Sequence, residues 1–315
     1  MRPIRRIVTL TLNPSIDRVL QVVGEDEAGV RTRLVAEVAG GKGNNVARAL
    51  AQMGEHPMAV TLAGGWNGAR LLELLEQDGV ACTALPTEWP VRFHTTVLRE
   101  HGDRLYLHET GGGASKQSAE RLEEDIVVWV RNQCSADDLV LLSGSVPEGL
   151  SATLYRDLIR RLPTIRFGVD TSGDALRYAV EAFPYLVKVN QDELMEATVT
   201  SEISAALAVV RNRVAWGAIA TQGARGAVAV SGGTAYQADP LEVAVVSTLG
   251  AGDAFMAGVA YGLLRAPGDP GEVLRWGQAA AAASLGLPAA GQLNREAVNP
   301  LHDCVQVSLQ EGMPR

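Results

Sequence analysis

The chain has 315 residues, 47% of them apolar and 20% charged, with a formal net charge of −8 from 28 basic and 36 acidic side chains. That length can bury a substantial core as one large α/β domain with a small appendage, residues 1–315 forming a single unit. The acidic balance comes without any Lys/Arg-rich block, which argues against a nucleic-acid surface, so a bound phosphate has to be held locally.

The start, Met1 to Arg6, is basic, but the strand-like run that follows stops at Asn13-Pro14 and never becomes a leader core. No apolar run approaches the roughly 20 residues of a membrane helix, which predicts a soluble, cytoplasmic protein with no membrane partner. Cys82, Cys134 and Cys304 are odd in number and in no metal-binding spacing, so they read as reduced thiols.

Residues 7–12 read as a buried first strand, and the mixed segment up to Val38 keeps β character. Gly-Gly-Lys-Gly-Asn-Asn (residues 40–45) then opens a helix with Val46, Leu50 and Met53 on one face, ended by Gly54. A strand over 58–63 and a helix over 69–78 continue the rhythm of a βαβ unit. Residues 93–98 and 104–108 flank a five-residue turn, 99–103, with the composition of a hairpin loop. With residues 19–38 this hairpin predicts a small sheet outside the main one.

Helices over 118–131, 152–162 and 175–182 alternate with strands over 139–142, 166–170 and 186–189. A helix over 201–214 and a strand over 216–221 follow, then short strands. Residues 243–246 read as a further strand, ahead of a glycine turn and two alanine-rich helices within 254–264 and 271–285. Such alternation implies a mostly parallel sheet whose ligands lie at the carboxyl ends of its strands.

The glycine turn carries the sharpest chemistry. Gly250, Ala251 and Gly252 at the mouth of a helix let backbone N–H groups converge where the helix dipole adds positive potential. Asp253, in the first helical turn, places a base beside that anion hole, an arrangement for phosphoryl transfer; the plainer alternative is an N-cap on a structural turn. Phe255 stands where a dinucleotide fingerprint needs Gly or Ala, and Lys42 is followed by Gly43 rather than Ser or Thr, so neither a Rossmann nor a P-loop is present.

Asp17, after the Pro14 turn, offers two acceptors for sugar hydroxyls, and Asn45 presents both donor and acceptor to a polyol. Asn190 and Glu193 stand three apart at a strand-to-helix junction, a spacing that also suits a capping box. Arg92 is by composition an ordinary surface arginine. The five histidines, 56, 94, 101, 108 and 302, fit no nucleophilic or metal pattern and read as surface or lid residues.

Six motifs occur in order: TLNPSID (11–17), GGKGNN (40–45), SGSVP (143–147), VDTSG (169–173), NQDEL (190–194) and STLGAGD (247–253). Together, over about residues 4–290, they resemble the PfkB (ribokinase-like) carbohydrate kinases, in the branch that holds 1-phosphofructokinase, tagatose-6-phosphate kinase and the minor 6-phosphofructokinase. The resemblance implies a three-layer α/β/α sandwich with a small β-sheet lid from about residues 18–38 and 91–109. It makes Asp253 the catalytic base with Gly250, Ala251 and Gly252 around the transferring group, and makes Asp17, Gly41, Lys42, Asn45, Arg92 and Ser143 the substrate site. It assigns Asn190, Thr221, Gly223, Gly226, Thr248 and Gly252 to ATP, and Asn190 with Glu193 to Mg²⁺ held through water. Of Arg31 and Arg33, the alignment does not say which touches substrate.

The activity so implied is ATP-dependent phosphorylation of a primary hydroxyl of a phosphorylated ketohexose, first fructose 1-phosphate to fructose 1,6-bisphosphate. Tagatose 6-phosphate and fructose 6-phosphate are the alternatives, with a catalytically silent sugar-phosphate sensor more remote. Lids that pack on one another imply a homodimer.

Overall fold

The computed structural model describes residues 2–99 and 103–310, and its elements follow the chain as alternating strands and helices. The first are β1 (Arg6–Thr11), β2 (Ser15–Asp26), β3 (Gly29–Gly40), α1 (Lys42–Gln52), β4 (Met58–Ala63), α2 (Gly65–Gln77), β5 (Ala81–Pro86), β6 (Arg92–Leu98) and β7 (Arg104–His108). The middle holds α3 (Lys116–Gln133), β8 (Asp138–Ser143), α4 (Leu154–Arg161), β9 (Arg166–Asp170), α5 (Gly173–Val180), β10 (Leu186–Asn190), α6 (Gln191–Thr198) and α7 (Ile203–Arg211). The last are β11 (Gly217–Thr221), β12 (Ala227–Ser231), β13 (Thr234–Ala238), α8 (Ala251–Arg265), α9 (Pro270–Ser284), α10 (Arg295–Cys304) and β14 (Val307–Gln310).

Among the described residues the large sheet orders ten strands as β14-β13-β12-β11-β10-β9-β8-β1-β4-β5. From β11 to β5 neighbours are parallel, while β12, β13 and β14 extend the edge antiparallel. Helices cover both faces, so the strands read as unbroken apolar runs rather than alternating ones. Leu139 and Leu141 pack with α1, α8, α9 and α10, whereas Val140 and Leu142 pack with α3 to α7. This is the expected three-layer sandwich.

The small sheet, β3-β2-β6-β7, grows directly from the ends of β1 and the start of α1. Ser15 stands opposite both Gly40 and Arg92, and Asp17 opposite His94, so the base of this sheet meets the carboxyl rim of the large one. Register shifts interrupt β2 between Val19 and Leu20 and between Val22 and Gly24. Arg48, 1% exposed, pins the base: its guanidinium donates to the carbonyls of Ala39 and Ala290 and pairs with Asp78. Farther out, Val23, Val30, Leu34, Val35, Leu105, Tyr106 and Leu107 are exposed.

The structure departs from the sequence reading at residues 243–246, and it adds β5, α10 and β14, which that reading did not contain. Residues 243–246 form no strand: Val245 and Val246 are exposed, and the Val246 N–H donates to the Leu285 carbonyl instead of a ladder. The position beside β13 that such a strand could use is filled by β14. Of the turn read at 99–103, residues 100–102 lie outside the described residues. Among the described residues no helix is long and apolar enough to cross a membrane.

Candidate active site

Two helices, α1 and α8, begin at the rim with glycine, and neither has a side-chain cap. Gly250 holds φ 78°, a left-handed conformation that favours glycine, and a Cβ there would lie 2.6 Å from Ala290 Cβ. Gly40 leaves room for Asp17, whose Oδ1 would be 2.2 Å from an added Cβ. The two helix starts meet through Asn45, whose Nδ2 donates to Asp253 Oδ2 at 2.8 Å.

Asp253 is 6% exposed and sits at the third position of α8, yet its carboxylate accepts from Asn45 and makes no cap hydrogen bond. Burial first, then the Asp170 carboxylate, pushes its pKa up to about 6, against the pull of Lys42, Asn45 and Lys188. Within the turn, the N–H groups of Ala251 and Asp253 donate to the carbonyls of Thr248 and Gly250. Gly252 N–H has no backbone acceptor among the described residues, which narrows the expected ring of donors but leaves one aimed from the helix start.

Charge is concentrated beside it. Asp170, buried at the end of β9, accepts from Lys42 Nζ at 2.9 Å and from Lys188 Nζ at 2.8 Å. Burial alone would raise this carboxyl, but the two ammonium groups overcome it and hold it below the usual range. Asp170 in turn raises Lys42, which stays charged. A Cβ at Gly252 would lie 3.2 Å from Lys188 Nζ, which puts that ammonium against the anion turn. Lys42, expected at the substrate, is thus committed to Asp170, with Glu193 Oε1 3.9 Å away.

Neither Asp170 nor Lys188 was singled out from sequence. The signal was there: a lone charge inside the apolar runs Phe167–Asp170 and Leu186–Val189 has to find a partner once those strands are buried.

On the lid side, Asp17 accepts from Ser15 Oγ at 2.6 Å, and burial raises its pKa. His94 Nδ1 stands 3.7 Å from Asp17 Oδ1, and its ring meets His108 edge-on at 4.5 Å. Burial, then Arg92 and His108, lower His94 to about 4, so it is neutral at working pH. These histidines floor the lid beside Asp17, a role not read from spacing. Arg92 donates weakly to the carbonyls of Glu109 and Asn13, both at 3.3 Å.

Buried polar atoms without partners gather here: Asn45 Oδ1, Arg92 Nε, His94 Nε2, Ser143 Oγ and Thr171 Oγ1. Native interiors leave few such groups, so a cluster of them marks a place for a polar ligand. Arg31 instead pairs with Asp26 at 3.4 Å and Arg33 is exposed on β3, so neither joins the site in this chain.

Across the rim, a cavity of about 560 Å³ is lined by Thr221, Gly223, Gly226, Thr248 and Gly252 together with apolar residues of α8 and α9. Asn190 and Glu193 form a complete capping box on α6: Asn190 Oδ1 accepts from Glu193 N–H at 2.8 Å, and Glu193 Oε2 from Asn190 N–H at 2.9 Å. That leaves Glu193 Oε1 outside the cap, a donor set suited to an ion held through its own waters and not to direct chelation. Among the described residues no cluster of three metal-ligating side chains exists.

Residues 10–296 match the family model described as pfkB family carbohydrate kinase. The chain is 31% identical to a 1-phosphofructokinase of Escherichia coli (strain K12) over 272 residues, 82% of this chain and 85% of that one. It is 29% identical to a tagatose-6-phosphate kinase of Staphylococcus epidermidis, covering 84% of this chain and 87% of the other. Phosphofructokinase-2 from Escherichia coli, solved in complex with substrates and products, superposes with a TM-score of 0.84 at 27% identity, over 95% of this chain and 99% of that chain. With its ribokinase-like sandwich and this match over nearly its whole length, the chain belongs to the pfkB family of carbohydrate kinases and is an ATP-dependent phosphotransferase.

Proposed function

We propose that the protein transfers the γ-phosphoryl group of ATP to a primary hydroxyl of a phosphorylated ketohexose, fructose 1-phosphate in the first place. The observation that carries this reading is the Asn45–Asp253 contact at the junction of two uncapped helix starts, between the orphaned polar groups and the large cavity. Asp253 takes the hydroxyl proton as the oxygen attacks phosphorus, and the bond to ADP breaks on the far side. The Gly252 N–H and the Lys188 ammonium stand where charge develops on the transferring group.

Asp17, Asn45 and Ser143, with Gly41 at the start of α1, hold the sugar, and Arg92 Nε, buried and unpartnered, receives the phosphate the sugar already carries. Thr221, Gly223, Gly226 and Thr248 take the nucleotide. Mg²⁺, held through water by Glu193 beside Asn190, would neutralise phosphate charge on ATP. The exposed apolar face of the lid fits a homodimer, lid on lid; a one-chain mass by light scattering at micromolar concentration would count against it.

The experiment is a coupled assay of ATP turnover against fructose 1-phosphate, fructose 6-phosphate, tagatose 6-phosphate and unphosphorylated fructose. Fructose 1-phosphate is expected to give the highest kcat/KM. Equal turnover of unphosphorylated fructose would sink the role of Arg92 and with it the substrate class.

A further inference from the structure

One face of α9 lines the large cavity with Gln278, Ala281, Ala282 and Leu285, the i, i+3, i+4, i+7 stripe of a packed helix. Three of these are apolar, and Phe255 of α8, its ring against Gly277 of α9, lines the same cavity. Gln278 is the exception. It is only 9% exposed, and among the described residues its amide has no hydrogen-bond partner, although it borders the cavity. Its amide is not one of the sealed unpartnered atoms of the interior, so it opens to the cavity, where a polar ligand can complete its hydrogen bonds. Phe255 stands three residues beyond Gly252 on the same helix and its ring lies against Gly277, so Gln278 borders the cavity beside Phe255, about one turn from Gly252, among surfaces that suit a flat ring.

We infer that Gln278 is a specificity-determining residue that reads the purine base of the phosphoryl donor and selects adenine. This rests on the reading of the cavity as the nucleotide site. A carboxamide offers one acceptor and one donor side by side. Read at its Hoogsteen edge, adenine presents the complement, the N6 amino group beside the N7 acceptor, whereas guanine and hypoxanthine present O6 and N7 there, both acceptors. One of the two amide contacts therefore becomes acceptor against acceptor with a 6-oxopurine.

The test measures kcat/KM for ATP, GTP and ITP at saturating sugar phosphate in the wild type, Gln278→Leu and Gln278→Arg. The wild type is expected to prefer ATP over GTP and ITP by at least about tenfold. Gln278→Leu should raise the KM for ATP about tenfold and bring the three donors within about threefold of one another, moving the KM for the sugar phosphate less than twofold. Gln278→Arg, with donors for O6 and N7, should turn the preference toward GTP and ITP. Gln278→Met, closest in shape, serves if either variant unfolds.

A wild type indifferent to the base would overturn the inference, as would a Gln278→Leu enzyme that keeps the wild-type ATP-to-GTP ratio. A fall in kcat with that ratio unchanged would show a packing role and overturn it too. Calorimetric binding of ADP against GDP separates the two levels. If no sugar phosphate is turned over, the proposed reaction fails, while an ADP preference lost in Gln278→Leu still supports base reading.

Discussion

Three of the helices that start at the rim of the large sheet frame the candidate site, and they start in opposite ways. α6 opens with a full capping box, Asn190 and Glu193 satisfying each other's backbone N–H groups. α1 and α8 open with glycine and no side-chain cap, although capping either would add stability. A capped end has settled its own donors and serves the fold; an uncapped end keeps donors and dipole available to an anion. On this comparison, substitutions at the start of α8 should be read in catalysis and loss of the Asn190 cap on α6 in stability.

The largest expected effect is that of Asp253→Asn, which keeps the shape and the Asn45 neighbour but removes the proposed base. kcat should fall by about 10²–10⁴ while the KM for ATP changes less than about twofold. Stability should move the other way. Because its folded pKa of about 6 lies above the usual 3.8, Asp253 contributes stability that is fully present below that lower value and lost as pH rises through the upper one. At pH 7.5 its buried charge costs on the order of 2–3 kcal/mol, so thermal melts of Asp253→Asn should lie above the wild type there and near it at pH 4. A variant that melts lower at pH 7.5 with near-normal kcat would make Asp253 a structural residue and erase the contrast.

Next is the pH profile of the wild type. On the proposed mechanism the ionised carboxylate is the active form, so kcat/KM should drop about tenfold per pH unit below about 6 and stay flat from 7 to 8. A break near 4 instead would mean that an ordinary exposed carboxylate controls the rate.

Gly250→Ala should cost roughly 2–4 kcal/mol, since the new Cβ meets both positive φ and the Ala290 side chain and backbone. Urea midpoints measure it. A loss under 1 kcal/mol would mean that the turn relaxes and its geometry is not fixed by packing.

Smallest is Asn190→Ala, the loss of a cap, at about 1 kcal/mol in the same urea titration with kcat within about threefold. If kcat instead falls more than tenfold and the Mg²⁺ dependence shifts, Asn190 joins Glu193 in the proposed Mg²⁺ site, and capped and uncapped ends are not so cleanly divided.

Much of this was legible because buried parallel strands and amphipathic helices write long apolar signals. The alternation from residue 7 to 221 and the helices at α8 and α9 follow from it. Residues 243–246 misled because β-branched residues fit any half-buried surface, and here they flank the cavity while β14, from the far end of the chain, occupies the sheet position. The Lys42–Asp170–Lys188 cluster was hidden for a related reason: its members are 128 and 18 residues apart, and strand order alone brings them together. Gln278 sits in an alanine-rich helix whose pattern says only that it packs closely.

The lid has a mechanical consequence. β2 runs 12 residues without a linker at its base, so at about 3.3 Å per residue its tip stands roughly 36 Å from Ser15 while Asp17 stands about 7 Å away. With Arg48 as fulcrum, the strand is a lever with a gearing of about five to one. A tilt of about 5° carries the tip about 3 Å and Asp17 about 0.6 Å, and the two register shifts are joints that soften the arm between them. Whatever restrains the outer strand ends therefore adjusts the Asp17 carboxylate in increments far finer than its own movement.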